Sequence, residues 1–232
     1  MTTSINLCAI VDALFMGQVK DRWAGKPPSA IQKDLVSGPQ IITNTGFAND
    51  AQADLKVHGG KDKAIHHYAF DHYAAWHNEG EIGSDEQPGA FGENVSTTGM
   101  TEDNLCIGDI LRLGSATVQI SQGRQPCWKL GAHTGNEKMP YLFQKTGRTG
   151  WYYRVLETGS VSAGDQITLI ERPQPDWSVR KVTLARLSKR IPAHEAAILA
   201  ETEELAEGWR SAFARMAAGN TYEDTSARLN AN

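Results

Sequence analysis

The residue best placed to do chemistry is Cys127, in the run Ser121-Gln122-Gly123-Arg124-Gln125-Pro126-Cys127-Trp128-Lys129-Leu130. Pro126 fixes its own φ and biases Gln125 toward extended backbone, so the thiol is expected after a rigid loop at a strand end. Arg124 and Lys129 lie close in sequence, and if their charges also lie close in space they favour thiolate over thiol. A thiolate is both a nucleophile and a soft metal ligand. The competing reading is an inert cysteine packed beside Trp128, because free cysteine often behaves as a small hydrophobe. The residues alone leave both readings open. Cys8, between Leu7 and Ala9, and Cys106, between Leu105 and Ile107, read as small core residues in strands.

A second group is Lys56-Val57-His58-Gly59-Gly60-Lys61-Asp62-Lys63-Ala64. The Gly-Gly pair lets backbone amides approach a ligand closely, and His58, Lys61 and Lys63 add donors and charge, a combination suited to phosphate or another anion. Walker spacing is absent, so this is not a P-loop, and a glycine turn carrying solvated lysines explains the same residues. Five of the seven histidines (58, 66, 67, 72 and 77) crowd this region. They lack an HExxH pattern, and the five-residue step from His72 to His77 does not stack on one helical face, so structural or hydrogen-bonding roles are expected for most. In Phe91-Gly92-Glu93-Asn94-Val95-Ser96, Glu93 and Asn94 either orient polar ligand atoms or cap a loop.

The elements that must position these groups follow from hydrophobic periodicity. Strands are expected at 8–19, 31–35, 40–43, 93–96, 105–113, 116–121, 151–157 and 166–171, and a helix near 70–78 from the spacing of Tyr68, His72 and Trp76. Ile107-Gly108-Asp109-Ile110 and Ala163-Gly164-Asp165-Gln166 share a Gly-Asp turn followed by alternating apolar residues, which reads as equivalent entries into one barrel-like sheet. Past Arg172, Pro173 and Pro175 mark a linker, and helices are expected at 179–191, 193–207 and 209–218; Gly208 marks a further break, or the shared apolar face runs through it. Leu205, Trp209, Phe213 and Met216 fall on one face. The division is therefore a β-barrel domain over 1–172 and a linker with three helices over 173–232.

Composition narrows the function. The 232 residues are 40% hydrophobic and 22% charged with a net charge of −4, an ordinary globular balance that gives no overall electrostatic case for nucleic acid or an anionic membrane. Three cysteines without short spacing exclude a four-cysteine zinc site and argue against a disulfide framework. No run approaches membrane-spanning length and no secretory leader pattern is present, so a reducing cytoplasm is expected. Arg180, Lys181, Arg186, Lys189 and Arg190 form a local basic cluster that reads as a solvated helix face or a partner surface.

Four runs in order, Lys56–Tyr68 (KVHGGKDKAIHHY), Phe91–Ser96 (FGENVS), Asn104–Asp109 (NLCIGD) and Ser121–Leu130 (SQGRQPCWKL), resemble the MOSC domain, named for the C-terminal domain of molybdenum cofactor sulfurases. The resemblance covers roughly residues 30–170. The whole length and helical tail resemble the bacterial subgroup typified by the 6-N-hydroxylaminopurine resistance protein. It implies a mainly β fold with helices (α+β), a MOSC-type barrel followed by a small three-helix domain.

It also implies molybdenum cofactor as ligand, with Cys127 as molybdenum ligand or persulfide carrier. His58, Gly59, Gly60, Lys61, Lys63, Asn94, Gln122, Arg124 and Lys129 become cofactor-binding candidates, and His58 or a nearby histidine a candidate proton donor. The implied activity is reduction of N-hydroxylated compounds such as hydroxylaminopurine-type bases. The chain lacks an iron–sulfur cysteine pattern and a GxGxxG fingerprint, so a separate reductase, such as a flavoprotein, is the expected electron donor. The alternative is a sulfur carrier or cofactor-handling protein. A monomer or homodimer is expected.

Overall fold

The computed structural model describes residues 7–53 and 59–229. The first strand, β1 (Cys8–Met16), is followed by β2 (Asp34–Val36), β3 (Gln40–Thr43) and β4 (Gly46–Phe47). After a 3-10 turn at Lys61–Lys63 come β5 (Ile65–Ala69), α1 (Asp71–Asn78), β6 (Val95–Thr97), β7 (Ile110–Leu113) and β8 (Ala116–Gly123). Two short helices, α2 (Trp128–Thr134) and α3 (Met139–Thr146), precede β9 (Trp151–Glu157), β10 (Gly159–Val161) and β11 (Gln166–Glu171). The chain ends in α4 (Val179–Ser188), α5 (Ala193–Glu201), α6 (Glu207–Ala217) and α7 (Ser226–Leu229).

Strand order runs β11-β7-β8-β9-β5-β6-β1, and β1 pairs back onto β11, so seven strands close a barrel. Only the β5–β6 pair in this ring is parallel. β2 extends the sheet from β1, and β10, β3 and β4 form a separate small sheet. The α+β barrel with helices after it is the architecture the sequence implied. The two Gly-Asp segments do enter the same sheet: each aspartate accepts the amide three residues back, Cys106 N at 2.9 Å and Ser162 N at 2.8 Å, and the strands that follow are neighbours.

Several boundaries move, each for a local reason. β1 stops at Met16 rather than at residue 19, because Gly17 leaves the ladder: its amide donates to Asp50 Oδ1 at 2.7 Å, and a Cβ there would sit 2.2 Å from the Gln32 carbonyl oxygen. The strand expected from 105 begins only at Ile110, since Cys106 to Asp109 form the turn. Glu93 is loop rather than strand, its carboxylate closing the turn by accepting Tyr73 OH at 2.6 Å and Gly89 N at 2.7 Å. Cys8 is exposed instead of core, whereas Cys106 is buried, and burial pushes its thiol up to about 11. Of the two readings of Gly208, the continuous one holds: α6 runs through it, and the break falls at Thr202, where the backbone turns extended. The helices α2, α3 and α7 were not expected.

The four residues expected on one face, Leu205, Trp209, Phe213 and Met216, are all buried, and they join one apolar cluster that also contains barrel residues such as Val118 and Ile120. Every residue of β8 is buried: α4 packs on the strand, and Ala206 N donates to Ser121 O at 2.9 Å. A second cluster of Tyr68, Tyr73, Trp76, Phe91, Leu130 and Phe143 lies under α1, α2 and α3, and it seats the loop that carries Cys127.

Candidate functional site

β8 delivers the chain to Gly123, and Arg124 to Pro126 turn it so that Cys127, in extended conformation (φ −131°, ψ 170°), occupies the residue before α2. The residue is 8% exposed and lines a cleft with about 620 Å³ of empty space, its open mouth included. The loop from Ser29 to Lys33 and residues 50–53 line it as well. His66, Asn94 and Tyr152 extend into it from the barrel. Lys129 Nζ donates to the Pro28 carbonyl at 2.8 Å, so the proline loop and α2 are tied across the cleft. Both competing readings of Cys127 thus hold a part of the truth: the thiol is mostly buried, yet it faces a cavity rather than packed core.

Of the candidates, Lys63, Asn94, Arg124, Cys127 and Lys129 come together in this cleft. Arg124 is 7% exposed and donates to the Phe91 carbonyl, which holds its guanidinium against the FGENVS turn. Asn94 accepts the His66 amide at 3.1 Å and donates to Phe15 O at 3.2 Å and Asp50 Oδ2 at 2.8 Å, so it braces the cleft wall. Gln122 is buried, with its amide donating to Gly123 O at 3.1 Å, and it does not line the cleft. Lys61 is exposed outside it, and Gly60 borders a neighbouring groove with Thr43 and Phe47. Gly59 is half-buried and also outside the cleft lining. His58, with Lys56 and Val57, lies outside the described residues.

The histidines behave as hydrogen-bonding groups. His67 is locked between Tyr153 OH at 3.0 Å and Thr97 Oγ1 at 2.8 Å, and burial pulls its pKa down to about 3. His66 lies between the Gly92 and Thr149 carbonyls at 3.4 and 3.5 Å; burial, then the Arg124 charge, hold its pKa well below the usual range, so its ring is neutral. His72 pairs with Glu102 at 2.6 Å, and His77 contacts Glu86 O at 3.0 Å. Among the described residues no three His, Cys, Asp or Glu side chains cluster as a metal site.

Three groups at the site carried no motif. Lys33 and Asp50 form a buried ion pair in the cleft wall, with each side chain 7% exposed. Arg228, on α7, donates to the Pro126 carbonyl and so reaches the Cys127 loop from the far end of the chain. A fourth group, His66, sat inside the quoted KVHGGKDKAIHHY run, and that run was the available signal for it.

A closed barrel with appended helices and a cysteine-bearing cationic cleft defines a class, and comparison with known proteins agrees with it. The MOSC domain model matches residues 54–168. Protein YiiM of Escherichia coli (strain K12) is 36% identical over 217 residues, which span 93% of this chain and 96% of that protein. YflK of Bacillus subtilis (strain 168), named as uncharacterized, is 40% identical over 194 residues, spanning 81% and 84%. The crystal structure of E. coli YiiM matches with a TM-score of 0.79 at 30% identity, over 96% of this chain and 98% of that one. The chain belongs to the MOSC domain family. A Gibberella moniliformis protein named reductase is 38% identical over 188 residues, 80% of this chain but 33% of its own length.

Proposed function

We propose that the cleft binds molybdenum cofactor and that the protein reduces N-hydroxylated compounds, hydroxylaminopurine-type bases among them. The observation that carries this is the convergence of one thiol and four cations, Lys33, Lys63, Arg124 and Lys129, on a single cleft of a chain whose net charge is −4. The donor set fits the group. A cofactor that brings its own sulfur pair to the metal needs only one further soft ligand, and Cys127 supplies one. The pterin phosphate needs local positive charge, which the cations supply. When bound, the cofactor would supply two-electron chemistry, and the protein contributes binding, orientation and electrostatics.

Within that reading the chain's own residues have distinct tasks. Cys127 holds the metal. Lys129, tied to Pro28, holds the proline loop to α2, and Arg124 fixes the FGENVS turn. The neutral His66 ring adds no positive charge of its own to the cleft. Electrons come from a separate reductase; a relative named reductase is longer than this chain, which matches 33% of its length. A cytoplasmic setting, reducing enough to keep the thiol free, belongs to the same proposal. Nucleic acid is not a partner in it: Arg180, Lys181, Arg186 and Lys189 each face an acidic side chain within 4.0 Å.

The test is metal and pterin analysis of protein from a host that makes the cofactor, with wild type beside Cys127→Ala, followed by assay with an artificial reductant and a hydroxylamine. Wild type should carry molybdenum and release the amine, and Cys127→Ala should lose at least about 100-fold of that activity. Equal absence of molybdenum from both proteins would overturn the cofactor reading. Loaded wild type that is inert across several hydroxylamines would leave the sulfur-carrier alternative.

A further inference from the structure

The reduction R–NHOH + 2 e⁻ + 2 H⁺ → R–NH₂ + H₂O breaks an N–O bond, and the departing oxygen must leave protonated. The cleft narrows the source of that proton. His66 lines it but is neutral, held between two carbonyls in a fully buried position. Tyr152 holds its proton more tightly than usual because burial disfavours the phenolate. Arg124 is too basic to give one up, and Lys129 serves to tie the proline loop to α2 through the Pro28 carbonyl.

Lys33 differs. Its side chain is 7% exposed, and its ammonium donates to both oxygens of Asp50, at 2.5 and 2.6 Å. Asp50 cannot swing away, because Gly17 N at 2.7 Å and Asn94 Nδ2 at 2.8 Å hold its two oxygens. An ammonium has three N–H groups, so two fixed bonds leave a third donor, and Lys33 lines the cleft that contains Cys127. A purely structural ion pair would serve as well behind the wall; this one forms part of it.

We propose that Lys33 is the proton donor of the site: its third N–H is directed to the leaving oxygen of an N-hydroxylated substrate, and its proton goes to that oxygen as the N–O bond breaks. The second proton comes from solvent, which also reprotonates the amine, and both electrons come from the external reductase named above. The assignment rests on the reduction reading. The charged groups facing the ammonium are Asp50, Glu93 and Arg124, and the net effect of burial and Arg124 against the two carboxylates is a lysine more acidic than usual. Such a group is ready to give up a proton nearer neutral pH than a surface lysine.

The test compares holoprotein of wild type, Lys33→Gln and Lys33→Arg across pH, and adds NMR of the Lys33 ammonium in cofactor-free protein. Lys33→Arg keeps the charge and the Asp50 pair but cannot release its proton, so it guards against a loss that is only structural. Both variants should load cofactor and keep KM, while kcat falls by roughly 100-fold or more, the low end of what a positioned general acid contributes. The alkaline fall of the wild-type rate should be absent from the residual activity of Lys33→Arg. In the NMR titration, Lys33 should lose its proton at lower pH than the exposed lysines. Wild-type kcat in either loaded variant, or a Lys33 that titrates with the exposed lysines, overturns the assignment alone. Inert loaded wild type overturns the reduction reading and this assignment together.

Discussion

His67 shows how a single buried ring sets a pH limit on the fold. Its two nitrogens are matched to Tyr153 OH and Thr97 Oγ1, and burial keeps it neutral down to about pH 3. An unfolded chain would bind a proton there near pH 6.5. The stabilisation is therefore complete above pH 6.5 and is lost as pH falls from there toward 3, at about 1.4 kcal/mol per pH unit. Urea midpoints at pH 7.5 and 5.0 should differ by the equivalent of about 2 kcal/mol from this residue. His67→Gln should lower stability at pH 7.5 but remove that share of the acid sensitivity; an unchanged pH dependence in the variant would count against the burial argument. At this scale the sequence was informative only where chemistry is local. Cys127 stood out through its neighbours Pro126, Arg124 and Lys129. Lys33 and Asp50 did not, because an ion pair across 17 residues leaves no pattern in either flank. Cys8 was misjudged because its apolar neighbours do not reveal that its own side of β1 faces outward, as the exposed Ile10 does two residues on.

Helix α4 approaches β8 so closely at Gly123 that no side chain fits there. A Cβ on Gly123 would lie 2.0 Å from Thr183 Oγ1 and 3.1 Å from its Cβ. Gly123→Ala is expected to cost about 1–3 kcal/mol, the usual range for overpacking. The Thr183 hydroxyl is buried and has no hydrogen-bond partner among the described residues, so Thr183→Ala should be close to neutral and should recover most of the loss in the double variant. Chemical denaturation of the four proteins measures this coupling, and equal costs in the two backgrounds would refute it. Elements were legible where apolar and β-branched residues cluster between turns: β3, β9 and β11 fall at the expected residues. α2 and α3 were invisible for the opposite reason. They are two turns long, one contains Gly131 and the other Pro140, and what stabilises them is the aromatic cluster beneath rather than their own pattern.

The whole molecule has one dominant core. Trp209, Phe213 and Met216 of the last long helix share it with Val118, Ile120 and Leu111 of the barrel. Removal of residues 173–229 would uncover that surface and the face of β8. The remaining barrel is expected to lose its cooperative urea transition and its near-ultraviolet circular dichroism; a sharp transition in the truncated protein would show that the division at 172 separates independent domains. The same architecture sets a timetable. The barrel closes when Cys8 pairs with Thr168, two residues about 160 positions apart in the chain. At a synthesis rate of roughly 5–20 residues per second, the interval between making Cys127 and completing β11 is on the order of 2–9 s. Throughout that interval the nascent chain carries the Cys127 thiol without the ring that gives the cleft its walls. Any ligand that needs the closed barrel must therefore arrive after β11 has been made, and until then the thiol depends for its reduced state on the surrounding cell rather than on its own fold.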